Sequence, residues 1–476
     1  MKTANKPSLK KAWANVYSQP AQEFPQTPLE VISGYIPEGL RGSLYRNGPG
    51  RLQRGTTRVG HWFDGDGAIL GVHFTDRGAT GVYRYVQTAG YQEEEIKGEF
   101  LFGNYGMTAP GPVWNQWFKP IKNAANTSVL ALPDKLLALW EGGNPHALDL
   151  LTLETQGTDN LSQLEASAPY SAHPKIDPQT GEIFNFGIAA GINAILRVYK
   201  SDATGKIIKQ NSVQLEGLPL VHDFAMAGQY LVFFVPPVRV NLLPAAIGLS
   251  SFSEALEWQA NKATQILIFD KETLDLVSRS ENEPWFQWHF GNSYVDKDGA
   301  INIEFVRYPD FQTNQYLKEV ATGETYTKTT SSLWRSRFNP HTGKMLELAE
   351  VFDKNCEFPV VPSHTVGEGS STYLVVHRDG VDTSKEMYNA IAKLDSKTDT
   401  VTIADLGENR YPSEALYVPN ALNHQQGWII TVVYDGNLNT SEVVIFDSNH
   451  LNEESVCRLG LPAVIPHSFH GTWQAK

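Results

Sequence analysis

Apolar positions fall in short runs of Val, Ile, Leu, Phe and Tyr bounded by Gly, Pro, Asn or Asp, and sustained helical periodicity is sparse. Several segments repeat one order: an apolar strand, an Asp or Asn, two or three polar residues with Thr or Gly, then a second apolar strand. The pattern recurs in HPKIDPQTGEIFNFG from His173, ILIFDKETLDLV from Ile266, SYVDKDGAINIEF from Ser293, SRFNPHTGKMLEL from Ser336 and IAKLDSKTDTVTI from Ile391. An Asx side chain bonds its own backbone two residues on, so each segment predicts a β-hairpin. Hairpins recurring over such a length, with no compositional gap marking a linker, predict an all-β fold of radially repeated sheets, a β-propeller. Seven blades would give about 68 residues each, enough for four strands of roughly six residues and long loops. The repeats are too irregular for a WD40 or kelch pattern. Short helices are predicted at Ser253–Lys262 and Asn241–Leu249. Residues 1–476 read as a single domain with an N-terminal arm over residues 1–25.

Charge removes one class of function. Lys and Arg total 39 against 52 Asp and Glu, a net charge of −13 that repels a phosphate backbone, so nucleic acid is not an expected partner. The two cysteines, Cys356 and Cys457, form neither a disulfide framework nor a C-x-x-C pair, which suits a reducing cytoplasm. The amino terminus lacks the apolar run of a secretory signal. The most apolar stretch, Leu231–Leu249, is broken by Pro236, Pro237, Arg239, Asn241 and Pro244, so it cannot span a bilayer. It could enter one leaflet, or be a buried strand followed by a loop.

Familiar local motifs are absent: no phosphate loop, no H-E-x-x-H helix, no G-x-S-x-G elbow. Asp64-Gly65-Asp66-Gly67 begins like a calcium loop, but Thr75 stands where the bidentate Glu belongs, so it reads as a tight turn. Thirteen histidines remain, and their spacing alone selects no ligands. A propeller would nonetheless bring one inner-strand residue per blade to a common axis, where distant histidines can meet.

Further motifs carry a resemblance. RNGPG at Arg46, FDGDG at Phe63, ANTSV at Ala125, LWEGGNPH at Leu139, SAHPKIDPQTGE at Ser171, VHDFAM at Val221, WHFGN at Trp288, CEFPVV at Cys356, SEALYVP at Ser413 and FHGTW at Phe469 resemble those of the carotenoid cleavage oxygenases, in order along nearly the whole chain. The resemblance implies a seven-bladed propeller with a dome of helices and loops carrying a substrate tunnel. It implies an Fe(2+) ion held by His173, His222, His289 and His470, with Glu141, Glu357 and Glu414 orienting His222, His289 and His470 respectively. Only the H-G-x-W match favours His470 over His467, three residues away. Structural roles are expected of His61 and His146. Imidazoles alone suit iron, copper, nickel or zinc, so iron comes from the resemblance.

The implied reaction is oxidative cleavage of a conjugated C=C bond of a carotenoid or apocarotenoid by O2, giving two carbonyl products. An uncharged polyene needs a long apolar tunnel. Phe63, Trp140, Trp288 and Phe358 are the expected lining, with Thr127 turning its methyl toward the open side of the iron. At Trp288 the family more often has Phe. Two alternatives stand beside this reading. Stilbene cleavage is one, although that branch carries Lys before the motif Glu, where this chain has Trp140. A non-catalytic propeller scaffold is the other. Because carotenoids dissolve in bilayers, residues 113–118 and 231–249 are the candidate membrane-contacting mouth, making a cytoplasmic protein peripherally attached.

Overall fold

Seven antiparallel sheets follow one another along the chain as the blades of a propeller. The computed structural model describes residues 10–476 apart from 167, 247, 368, 397, 424 and 425, and omits the side chains of 116, 118, 245 and 246. The first nine residues of the N-terminal arm and the Phe118 side chain therefore lie outside the described residues. In chain order, blades two to six begin on the inner strands Ser128–Ala131, Lys175–Ile176, Ala225–Ala227, Phe286–Val295 and Cys356–Val360. The seventh begins at Arg410–Pro412 and Leu416–Pro419, both paired to Gly427–Asp435.

Closure uses both ends of the chain. The C-terminal strand Gly471–Ala475 completes the first blade by pairing with Gly42–Arg51, in register Gly42↔Ala475 to Arg46↔Gly471. Glu30–Gly34 in turn adds to the seventh blade through Cys457–Gly460. A ring closed this way leaves no long open sheet edge. The part of the arm from residue 10 onward is packed down: Trp13 is fully buried, its indole donating to the Lys385 carbonyl at 2.9 Å, and Phe24–Pro28 pairs with Gly78–Tyr85.

The repeated sequence pattern has a common local cause. In the hairpins at Asp177, Asp270, Asp296 and Asn339, the side-chain oxygen accepts from the backbone N–H two residues on, at 2.8–3.0 Å. Blades pack on both faces, so their middle strands are rich in apolar residues; Tyr230–Val235 is buried along its whole length. Apolar clusters fill the gaps between blades, as with Phe186, Leu196, Phe224 and Phe233 between the third and fourth.

Three expectations need correction. Ser253–Lys262 is not a helix: a single 3-10 turn, Ser253–Ala255, leads into the strand Leu256–Trp258, which pairs with Val238–Val240. The backbone groups of that segment find partners on a neighbouring strand, which overrides a weak local preference. The helix expected over Asn241–Leu249 is only Leu242–Ala246, with residue 247 outside the described set. Leu231–Val240 contributes nothing to a surface mouth, because strands Tyr230–Val235 and Val238–Val240 are buried. Only the portion from Leu242 onward is exposed apolar surface: Leu242, Leu243 and Leu249, matched by Val113, Trp114, Trp117 and Ile121. Among the described residues no helix is long and apolar enough to cross a membrane.

Candidate metal centre

Each blade presents one polar residue within three residues of the start of its inner strand. In blade order from the first these are His470, Thr127, His173, His222, His289, Glu357 and Glu414. Segments distant in sequence thus reach the common axis, and the four histidines are buried with their ligand nitrogens within 4.8 Å of one another.

The pairing of nitrogens is specific. His173 Nε2 lies 3.0 Å from His222 Nε2, and His289 Nε2 lies 3.1 Å from His470 Nε2. Two imidazoles at right angles on one ion, with metal–nitrogen bonds of about 2.1 Å, would stand about 3 Å apart. The Nδ1 atoms point the other way, to carboxylates. His289 Nδ1 is 2.6 Å from Glu357 Oε2, His470 Nδ1 is 2.9 Å from Glu414 Oε1, and His222 Nδ1 is 2.9 Å from Glu141 Oε1. A carboxylate accepting from Nδ1–H, as Glu357 and Glu414 do, fixes the tautomer that leaves Nε2 a bare lone pair. The set therefore fits a divalent transition metal: four buried imidazole nitrogens, two of them oriented by hydrogen-bonded carboxylates and a third with a carboxylate 2.9 Å away.

Electrostatics favours the neutral imidazole at His173 and His470. Burial, reinforced by the neighbouring imidazoles, pushes the His173 pKa well below its usual value. Burial also takes His470 down to about 4, against the pull of Glu414. For His289 burial works against protonation, but the Glu357 carboxylate outweighs it and the pKa is raised. Burial raises the carboxyl pKa of Glu357 and Glu414, yet their histidines and further hydrogen bonds more than offset it and hold both below the usual range.

Three participants were not singled out in the sequence. Tyr308 donates its hydroxyl to Glu357 Oε1 at 2.9 Å, so both oxygens of that carboxylate are engaged. Arg46, fully buried, donates to the Glu414 carbonyl at 2.7 Å, and its guanidinium lies 3.5 Å from that residue's carboxylate. Asp223 is 4.0 Å from His173 Nδ1, is paired with Lys175 at 2.8 Å, and accepts from the Phe290 N–H. Asp223 directly follows His222, and Arg46 opens RNGPG; those positions were the available signal. Tyr308 had none.

A cavity of about 1640 Å³ reaches this point, and Phe63, Thr127, Trp140, Trp288 and Phe358 all line it. Trp288 packs edge-on to His222 and donates its indole N–H to Thr313 at 3.1 Å. Phe358 stacks on His289 with ring centroids 5.2 Å apart. Its backbone is left-handed, φ +50°, an unfavourable state for a non-glycine residue. That turn folds the Phe358 N–H onto Glu357 Oε2 at 2.6 Å. Thr127 donates its hydroxyl to Asn126 at 3.1 Å.

The other histidines separate from the cluster. His467 bonds the Trp13 carbonyl at 3.3 Å among Tyr17, Tyr411 and Tyr434. His61 accepts from the Phe63 N–H at 3.1 Å and contacts the Asn314 carbonyl. His146 lies in the cavity wall.

Comparison with known proteins is consistent across sequence and structure. The family model described as retinal pigment epithelial membrane protein matches residues 17–475. The chain is 30% identical to apocarotenoid-15,15'-oxygenase of Synechocystis, over 97% of this chain and 96% of that protein. It is 25% identical to resveratrol cleavage oxygenase 1 of Aspergillus fumigatus, over 94% and 91% of the two chains. A crystal structure of the cobalt-substituted Synechocystis enzyme superposes with a TM-score of 0.87 at 29% identity, covering 98% of each chain.

Proposed function

The chain belongs to the retinal pigment epithelial membrane protein family, the carotenoid cleavage oxygenases, and from that premise we propose that it is an Fe(II)-dependent dioxygenase. It breaks one conjugated C=C bond of a carotenoid or apocarotenoid and places one atom of O2 on each carbon, giving two carbonyl products. The observation that carries this reading is the convergence of four imidazole nitrogens at the end of a large cavity walled by aromatic residues.

In this reading His173, His222, His289 and His470 hold the metal, and Glu141, Glu357 and Glu414 orient three of them. Bound there, ferrous iron supplies the activation of dioxygen beside the alkene. The remaining work belongs to the chain. Phe63, Trp140, Trp288 and Phe358 bind the polyene by excluding water, at roughly 25 cal/mol per Å² of apolar area buried. Trp288 and Phe358, packed against metal-holding imidazoles, fix which double bond lies at the reacting position. Thr127, its hydroxyl spent on Asn126, turns its methyl to the open side of the site and restricts what can enter. No side chain is needed as acid or base, because cleavage into two carbonyls moves no proton.

Incubating iron-loaded protein with a β-apocarotenal under isotopically labelled dioxygen tests this. One labelled oxygen is expected in each product. Label in only one product would make the protein a monooxygenase, and intact substrate would remove the reading.

The exposed residues Val113, Trp114, Trp117, Ile121, Leu242, Leu243 and Leu249 form the membrane-contacting surface in this account. Ile121 also lines the cavity, so lipid-dissolved substrate can pass directly inside. Changing Leu242 and Leu243 to Asp is expected to abolish flotation with liposomes while leaving cleavage of detergent-solubilised substrate within about twofold. Unchanged flotation would place the contact elsewhere. Both cysteines are buried and unpaired, which suits the cytoplasmic face of a membrane.

A further inference from the structure

His146 opens the third strand of the second blade, His146–Leu148, and is 6% exposed. Its Nδ1 is enclosed without a hydrogen-bond partner, and Nε2 makes no hydrogen bond to the described residues. Every other buried histidine among them has a polar neighbour on at least one ring nitrogen. Away from the metal-holding group these are Asn314 and the Phe63 N–H for His61, Ser43 for His73, Glu386 for His377 and Trp13 for His467. A buried polar group with nothing bound to it needs an explanation, and this one lies in the cavity wall.

The surroundings narrow the ligand. An enclosed bare lone pair is cheaper to leave unpaired than an enclosed N–H, so the ring proton belongs on Nε2, the nitrogen left to face the lumen. On the same wall the Asp159 carboxylate is taken by Lys135 and the Leu161 N–H and the Asn160 side-chain oxygen by the Ser162 N–H, while Thr158, opposite His146 in register, offers a hydroxyl beside it. Burial lowers the His146 pKa to about 4, so the ring is a neutral donor and carries no charge with which to hold an anion. In register His146 pairs with Ala138 and Ala138 with Val129, placing it two strand spacings, about 10 Å, outboard of the strand that follows Thr127. That distance suits an end group and not the reacting bond.

We infer that His146 is a specificity-determining residue whose Nε2–H donates to a neutral oxygen, a hydroxyl or carbonyl, on the end group of the conjugated substrate. The inference rests on the cleavage reading for the identity of the polyene, and its chemistry would equally hold the phenol of a stilbene.

Anaerobic binding, followed by quenching of tryptophan fluorescence in the iron-loaded protein, separates these possibilities without turnover. The probes are a hydroxylated β-apocarotenal, the unhydroxylated β-apocarotenal, the same chain ending in methyl, and resveratrol against unsubstituted stilbene. His146→Leu is expected to weaken binding of the oxygen-bearing polyenes about 10-fold, the loss of about 1.4 kcal/mol, and to leave the methyl-ended chain unchanged. His146→Gln, which restores a donor, should recover much of the loss. Equal weakening of all polyenes, or no change in any, overturns the assignment. A dependence on His146 confined to the resveratrol pair overturns the polyene as the ligand. If the expected pattern appears but aerobic incubation yields no cleavage, the cleavage reading fails while the role of His146 stands.

Discussion

Replacing His222 with Ala should yield a folded protein that no longer retains iron after dialysis and no longer cleaves a β-apocarotenal. His222 precedes the short inner strand of the fourth blade, whose strands are held by their own pairing and by a large apolar cluster. Loss of the imidazole therefore spares the blade. It removes one of four nitrogens confined within 4.8 Å and strands Glu141, whose carboxylate lies 2.9 Å from the lost Nδ1. Activity is expected to fall by more than the roughly 10–100-fold typical of losing an outer partner of a metal ligand. Elemental analysis and product chromatography on the same preparation provide the check. Full iron content with unchanged cleavage would exclude His222 from the site.

Glu357→Gln should lower iron affinity or turnover by about 10–100-fold while leaving substrate affinity nearly unchanged. The amide keeps the size of the side chain and an oxygen for His289 Nδ1–H, while its NH2 faces the Tyr308 hydroxyl, which must turn from donor to acceptor, so the effect reads the lost charge together with that one reversed bond. Three carboxylates surround the site, and one guanidinium, Arg46, lies 3.5 Å from Glu414. Two negative charges remain, the number a divalent ion neutralises; Asp223 is already matched by Lys175. Removing one leaves the dication under-compensated in a buried site, where charge is least screened. Iron titration together with kcat and KM provides the reading. A rise in KM alone would make Glu357 part of the substrate wall.

The fold was legible where its causes are local. An Asp or Asn that bonds backbone two residues ahead writes a hairpin into a few residues, as at Asp177 and Asp296. The strand Leu256–Trp258 was misread because its partner, Val238–Val240, lies in another segment. For the run Leu231–Val240 both a leaflet-entering segment and a buried strand stood open, because apolar composition does not say whether a neighbouring blade covers it; the strands are buried. The site followed the same rule. Spacing could not select four of thirteen histidines, since ring closure brings them together; resemblance of their flanking motifs singled them out. Tyr308 and the unpaired ring of His146 had no sequence signal, because hydrogen bonding made or left unmade across the fold is a tertiary property.

The central claim is that one divalent ion sits among the Nε2 atoms of His173, His222, His289 and His470. Crystals of iron-loaded protein measured on both sides of the iron absorption edge address it directly. A single anomalous peak within bonding distance of all four nitrogens is the expected result. A peak elsewhere, or none at that point in protein that binds iron stoichiometrically, would contradict the account.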